Sequence, residues 1–398
     1  MIFIPGPELK TPRNIALALG VLLSIAAVIG AVFDWQHFLQ SYLVGFFFVL
    51  SLSVGCLGLL MLNHVAGGMW GAPIRRILES ASLQSFLLVL LVIPLLIGMQ
   101  QLWAWTRPDA ALLIHHLEEK QWYLNVPGFI ARVIVCLALF CTLAWLLSRW
   151  SLKQDTDRSH ARQQRMASLS APGMVASVIA VSLLSVDFIM SLQPEWWSTM
   201  FAFQAATSFL LVAIAFSIVV LVWVSRRLPQ LFESSPPERL HDLGNLLLAL
   251  VLFWTYVSFS QFLIIYSGNL PDEVTFYLRR IRNGWEYIGI ALAAFHFIVP
   301  FAVLLSREAK RRPGTLWAIA AVLLLFHFVD LFWLVMPAFR PVLYFHWLDA
   351  VVPLALICLW FGGFLWSYSS HPVLARVLLP RPPAPEAEMG LSPKGESA

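Results

Sequence analysis

Charge is what this sequence has least of. Lys, Arg, Asp and Glu make up 12% of its 398 residues, against roughly 25% in a soluble domain. Water-exposed surface must be scarce, which excludes a soluble enzyme and a disordered chain. Cysteine is scarce as well. The four are Cys56, Cys136, Cys141 and Cys358; all lie in apolar runs, and none belongs to a Cys-x-x-Cys pair. A disulfide scaffold is excluded, no zinc or iron–sulfur ligand set is read, and the thiols read as small buried hydrophobes. The start, Met1-Ile2-Phe3-Ile4-Pro5-Gly6-Pro7, lacks a basic n-region, so no cleavable signal is expected there.

What is abundant is apolar. Hydrophobic residues are 59% and mean hydropathy is +0.77. The net charge of +4 would suggest nucleic acid in a soluble protein. Here no nucleic-acid role is read, and the question is on which side of a bilayer the positive charge sits. A spanning helix needs about 20 apolar residues. Ten such runs stand near 14–32, 39–62, 83–105, 127–149, 172–193, 201–225, 243–267, 287–306, 315–337 and 347–369. Their length and continuous hydrophobicity predict helices rather than barrel strands. The fold class expected is an all-α polytopic membrane protein in contact with membrane lipid, with a ten-helix domain over 1–378 and a Pro-rich, disordered tail over 379–398. Trp35, Trp103, Trp105, Trp122, Trp150, Trp196, Trp197, Trp285 and Trp347 fall near run ends and read as an interfacial belt. Residues 63–82, with Trp70, Arg75 and Arg76, read as an interfacial helix.

Of the 26 Lys and Arg, 19 fall on the side of both termini, 6 on the other, and Arg132 inside span four. That split predicts cytoplasmic termini in a bacterial cytoplasmic membrane. The spans also repeat. Val186-Asp187 precedes Pro194 in span five as Val329-Asp330 precedes Pro337 in span nine. Leu-Leu-Ser-Arg closes spans four and eight at 146–149 and 304–307, Gln101 matches Gln261, and Pro108-Asp109 matches Pro271-Asp272. The paired spans run in the same direction. The pattern predicts two parallel four-helix bundles, spans two to five and six to nine, flanked by spans one and ten.

Ionisable residues inside such runs are costly, about 2.5–3.5 kcal/mol for an Asp at a helix centre, and mark functional sites. Asp187, His296, His327 and Asp330 are the candidates for a proton relay. His327 and Asp330 share a helix face, and a His–Asp neighbour pair can pass a proton. The path expected runs from the cytoplasmic side through Ser and Thr hydroxyls or water to His296 and His327, then Asp330, then outward. Tyr256, Ser258 and Gln261 are candidate polar lining, with helix-to-helix glue as the other reading of Ser258 and Gln261. Arg132 either neutralises an acid or snorkels to headgroups. His346 and Asp349 repeat the His–Asp spacing and read as a structural pair near the surface. No residue is assigned a catalytic or metal-binding role; a bis-His haem on His296 and His327 is the lesser reading.

Residues 185–200 (SVDFIMSLQPEWWSTM) and 253–277 (FWTYVSFSQFLIIYSGNLPDEVTFY) resemble the NrfD-like, polysulfide-reductase-membrane-subunit-like family, in particular the second membrane subunit of bacterial alternative complex III, a quinol:cytochrome c oxidoreductase. The resemblance implies ten helices with two four-helix bundles. It also implies a subunit without a redox centre of its own, beside a quinol-oxidising NrfD-like paralogue and iron–sulfur and haem c subunits. A quinone or quinol would then lie near the outer ends of spans two to five, in the vicinity of Arg132 and Asp187. Asp187 matches the family's span-five Asp, whereas span four carries no His to match the family's His. Two other classes remain open: a secondary transporter, which should purify alone, and a structural anchor for extrinsic redox subunits.

Overall fold

A computed structural model describes residues 7–110, 117–157, 160–227 and 237–372. The tail over 379–398 lies outside the described residues. Among the described residues, ten helices are long and apolar enough to cross a membrane: span one, Lys10–Phe33; two, Trp35–Ala66; three, Arg75–Ile97; four, Val126–Asp155; five, Ala161–Leu192; six, Met200–Ser225; seven, Glu238–Gly268; eight, Trp285–Leu305; nine, Pro313–Ala338; ten, Leu348–Ser369. The chain is an all-α multi-pass membrane protein. One residue, Asp34, separates spans one and two. Its backbone is non-helical and its Oδ1 accepts the His37 N–H at 2.9 Å, which satisfies one of the free donors that every helix start exposes.

Spans two and six form the centre. Their apolar windows are 94% and 83% buried, against 22% for spans one and eight. In a bilayer, lipid is as apolar as leucine, so helices associate through close packing rather than hydrophobic expulsion. Gly55 provides that at the crossing of the two central helices: a Cβ there would stand 1.9 Å from the carbonyl oxygen of Phe209. Phe47 closes the same contact edge-on against Phe209, with ring centroids 5.5 Å apart.

The packing partners obey a two-fold rule. Span two lies against spans three and five; span six lies against spans seven and nine. Span four packs on span five as span eight packs on span nine. Span five then meets span six, and span nine meets span two. The two four-helix units thus face each other across the span two–span six crossing, as the sequence repeat predicts. Spans one and ten break the symmetry, since span ten packs on span two and span one packs on span ten.

Two expectations are corrected. Residues 75–82 are not an interfacial helix: all eight are buried and begin span three. Trp103, Trp105, Trp196 and Trp285 are at most 5% exposed and belong to the interior rather than to a headgroup belt, whereas Trp35, Trp122, Trp197 and Trp347 are 37%, 81%, 58% and 50% exposed. Trp103 meets Phe129 and Phe188, and Trp196 stacks on Phe276 at 3.8 Å. Run ends in the sequence identify where a helix stops, but not whether its terminal ring turns outward.

Candidate functional site

Three of the four relay candidates come together in the middle of the second unit. His327 and Asp330 sit on span nine and His296 on span eight; none is more than 2% exposed. Span seven adds Trp254, whose ring lies 4.3 Å from that of His296 and whose indole faces the Asp330 carboxyl. Span two adds Ser51, 2.9 Å from His327 Nε2, and Phe48, whose ring lies 5.7 Å from the imidazole.

Few of these polar atoms are satisfied. Both ring nitrogens of His296, Nδ1 of His327, Oδ2 of Asp330 and Nε1 of Trp254 are buried without a hydrogen-bond partner. The Phe326 backbone lies beside His296 without making a hydrogen bond to either ring nitrogen. Buried polar groups are nearly always paired, and several unpaired ones in one place call for an explanation such as a role in chemistry or a bridging water. Local backbone says the same. Ala293–Ile298 is a π-helical turn carrying His296. Pro300 has no N–H to return to the His296 carbonyl four residues earlier, and π-turns inside α-helices occur frequently at functional sites.

Toward the end of the molecule away from the termini, a string of side chains continues from Asp330. Tyr277, on the short helix Pro271–Leu278, lies within electrostatic range of both Asp330 and Arg280. Its hydroxyl meets the Gln261 amide at 3.4 Å, and Gln261 Oε1 accepts from Ser198, which is half-buried, at 3.5 Å. Burial pushes the Tyr277 phenol up to about 12, so it keeps its proton at neutral pH. Arg280 caps this end. Its guanidinium donates to the carbonyls of Phe276, Trp333 and Leu334 at 2.7, 3.2 and 2.6 Å and lies 3.5 Å over the Phe276 ring. Burial pushes it down to about 9, and it remains a cation at neutral pH. On the other side, the hydroxyls are tied to their own helices. Ser53 donates to Val49 and Ser217 to Ala213.

The fourth candidate, Asp187, stands apart. Arg132 grips it with Nε to Oδ2 at 2.8 Å and Nη2 to Oδ1 at 2.9 Å, and the Tyr123 ring covers the guanidinium at 3.9 Å. Of the two readings of Arg132, neutralising an acid is the one realised. The repeat-related Asp187 and Asp330 therefore differ in chemistry: one is held by a counter-charge, the other is not. Gln261 is buried and bonded, and the hydroxyl of Ser258 is buried without a partner. Tyr256 is corrected: at 66% exposed it points out of the bundle and lines nothing. His346 and Asp349 share only a backbone contact, the His346 N–H to Asp349 Oδ2 at 2.9 Å. The carboxylate pairs instead with Arg340 through two bonds, at 2.7 and 2.9 Å, and accepts from Ser41 at 2.7 Å.

A buried charge cluster was not singled out in the sequence. Arg75 and Arg76 of span three both pair with Glu79. Arg76 also pairs with Asp155 of span four, while Arg75 reaches Gln154 at 3.1 Å. Two cations and two anions balance inside one contact and tie spans three and four together. The spacing of Arg75 and Glu79, four apart on a helix, was the available signal.

Among the described residues no group of three His, Cys, Asp or Glu could hold a metal ion, and all four cysteines are free. No protein-family profile matches the chain, and no curated protein matches it.

Proposed function

We propose that this chain is a proton-handling membrane subunit, without a redox centre of its own, of a quinol-oxidising respiratory complex in the bacterial cytoplasmic membrane, with both termini cytoplasmic. The observation that carries the proton-handling part is the buried group His296, His327 and Asp330, which holds unsatisfied donors and acceptors in mid-membrane and has no counter-ion pairing Asp330. A carboxyl group and two imidazoles in one buried group can gain and lose protons in sequence. Tyr277, Gln261 and Ser198 supply the outward leg. The complex is supported by the resemblance of 185–200 and 253–277 to the NrfD-like family. In this reading, quinol is oxidised in a paralogous subunit, electrons leave through iron–sulfur and haem c subunits, and this chain couples that step to proton movement. Asp187, committed to Arg132, orders spans four and five and takes no part in the transfer.

Purification of the chain from its native membrane in mild detergent tests the assembly. Subunits bearing haem c and iron–sulfur clusters should copurify in fixed ratio. A chain that emerges alone, with transport activity in liposomes, would show a secondary transporter instead.

A further inference from the structure

At the end of the molecule that carries both termini, two tryptophans stand on neighbouring helices: Trp223 in the last turn of span six and Trp317 in the second turn of span nine. An arginine covers each. The Arg226 guanidinium lies 5.8 Å from the centre of the Trp317 ring, and that of Arg227 lies 4.6 Å from the Trp223 ring. Arg226 thus reaches across from span six to span nine, while Arg227 folds back one turn onto its own helix. A cation over an aromatic face is held there by the ring's charge distribution, so two long side chains are gathered at one place on the rim. Both are exposed. Among the described residues neither meets a carboxylate, and the one hydrogen bond they make is from Arg227 to the Glu8 carbonyl at 3.3 Å. The nearby Arg312, at the start of span nine, is by contrast paired with Glu308.

The same two tryptophans form one mouth of an apolar groove of about 930 Å³ between spans two, six, nine and ten. Beyond them it is walled by Val219, Ala321, Leu324, Ile357 and Phe361, and Leu325, 59% exposed, leaves it open to the hydrocarbon. One leaflet of a bilayer core is about 15 Å deep, ten residues of helix at 1.5 Å each. Over that depth from Trp317 the lining holds no polar side chain except tryptophan, so an ordinary acyl chain of the adjacent leaflet fits it. The charge at the mouth selects the head. Two cations without a counter-ion attract an anion, and basic pockets between transmembrane helices bind anionic lipid heads. Neither indole N–H has a partner among the described residues, and both stand at the level where tryptophan meets the headgroup region. A phosphocholine head would bring its own cation against the arginines and is disfavoured.

We propose that this rim binds one anionic phospholipid of the leaflet on the side of the termini. The phosphate lies between Arg226 and Arg227, the glycerol esters accept from the indoles of Trp223 and Trp317, and one acyl chain follows the groove between spans six, nine and ten. The lipid ties span six to span nine at their ends. The site shares no residue with the relay and stands independently of it.

The test titrates the purified full chain in detergent with dioleoyl phosphatidylglycerol or dioleoyl phosphatidylcholine and counts bound lipids by native mass spectrometry. The first phosphatidylglycerol should bind about tenfold more tightly than phosphatidylcholine, and inorganic phosphate should not compete with it. Arg226→Gln combined with Arg227→Gln changes two exposed side chains and should abolish that preference. Arg149→Gln should leave it unchanged, because Arg149 lies over Trp145 at 5.0 Å on span four, away from the groove. Ala321→Phe puts a ring in the path of the acyl chain and should weaken the first phosphatidylglycerol about tenfold; Leu325→Trp, from the exposed wall, should do the same should Ala321→Phe fail to fold. Equal affinity for the two lipids, a preference that survives the loss of both arginines, an equal loss in Arg149→Gln, competition by inorganic phosphate, or undiminished binding in a folded filled-groove variant would overturn the assignment.

Discussion

Asp187 and Asp330 each follow a Val and stand seven residues before a proline, in spans five and nine, so replacing each by Asn is a controlled comparison. Asp187→Asn removes the anion from a bidentate pair whose carboxylate is fully buried and leaves Arg132 as an uncompensated cation. Breaking a buried pair from one side costs about 3–5 kcal/mol, and the Arg132 side chain is only 18% exposed, so relief from solvent is limited. A loss of about 3 kcal/mol is expected, seen as a melting temperature several degrees lower. Asp330→Asn removes no counter-charge. It keeps the shape of the side chain and replaces a group whose insertion at a helix centre costs about 2.5–3.5 kcal/mol by an amide that cannot ionise. Stability should be unchanged or higher. Function should divide the other way: Asp330→Asn should abolish the protons released, in the complex in liposomes, beyond the one per electron that quinol oxidation itself supplies, whereas Asp187→Asn should leave the ratio of protons to electrons unchanged in whatever fraction assembles. Wild-type proton stoichiometry in Asp330→Asn refutes the relay, and a melting temperature lowered equally by both variants refutes the distinction drawn between the two sites.

Gly55→Val should prevent spans two and six from approaching, because its Cβ would stand 1.9 Å from the Phe209 carbonyl oxygen; the monodisperse peak in size exclusion should be lost, and retention of the peak would contradict the crossing. Glu79→Ala leaves two arginines inside one buried contact and should destabilise by about 3–5 kcal/mol, measurable as faster proteolysis in the loop between spans two and three. Asp34→Ala removes the cap of span two and should cost about 1 kcal/mol. The His37 N–H, ahead of opposing burial, holds the Asp34 carboxyl below its ordinary value, so its contribution is complete above the unfolded carboxylate range and is lost as pH falls through the lowered folded value. A thermal-shift profile against pH that is identical in wild type and Asp34→Ala would contradict this. Reporter fusions after Ser370 and near Asp109 should read opposite sides of the membrane.

Ten spans were legible in the sequence, because length and continuous hydrophobicity are properties of single helices. Which way each helix faces was not. In water a polar face distinguishes outside from inside, but in lipid both faces are apolar. Tyr256 and Gln261 therefore looked alike, although five residues rotate one into lipid and the other into the bundle. Trp254, an ordinary aromatic in an apolar run, gave no sign that it would close the cluster around His296. Partnerships across the chain were hidden for the same reason. Arg132 finds Asp187 and Arg340 finds Asp349 only once helix rotations are set. The π-turn did leave a trace, since His296 and Pro300 stand four apart, the spacing at which proline deprives a carbonyl of its donor.

Infrared difference spectroscopy of the complex upon quinol addition tests the central claim most directly, because a buried carboxyl that gains or loses a proton changes its C=O stretch. A carboxylic-acid band that appears or disappears with turnover in the wild type and is absent in Asp330→Asn is the result this account predicts. A band unchanged by that substitution, or no carboxylic-acid band in the wild type, would contradict it.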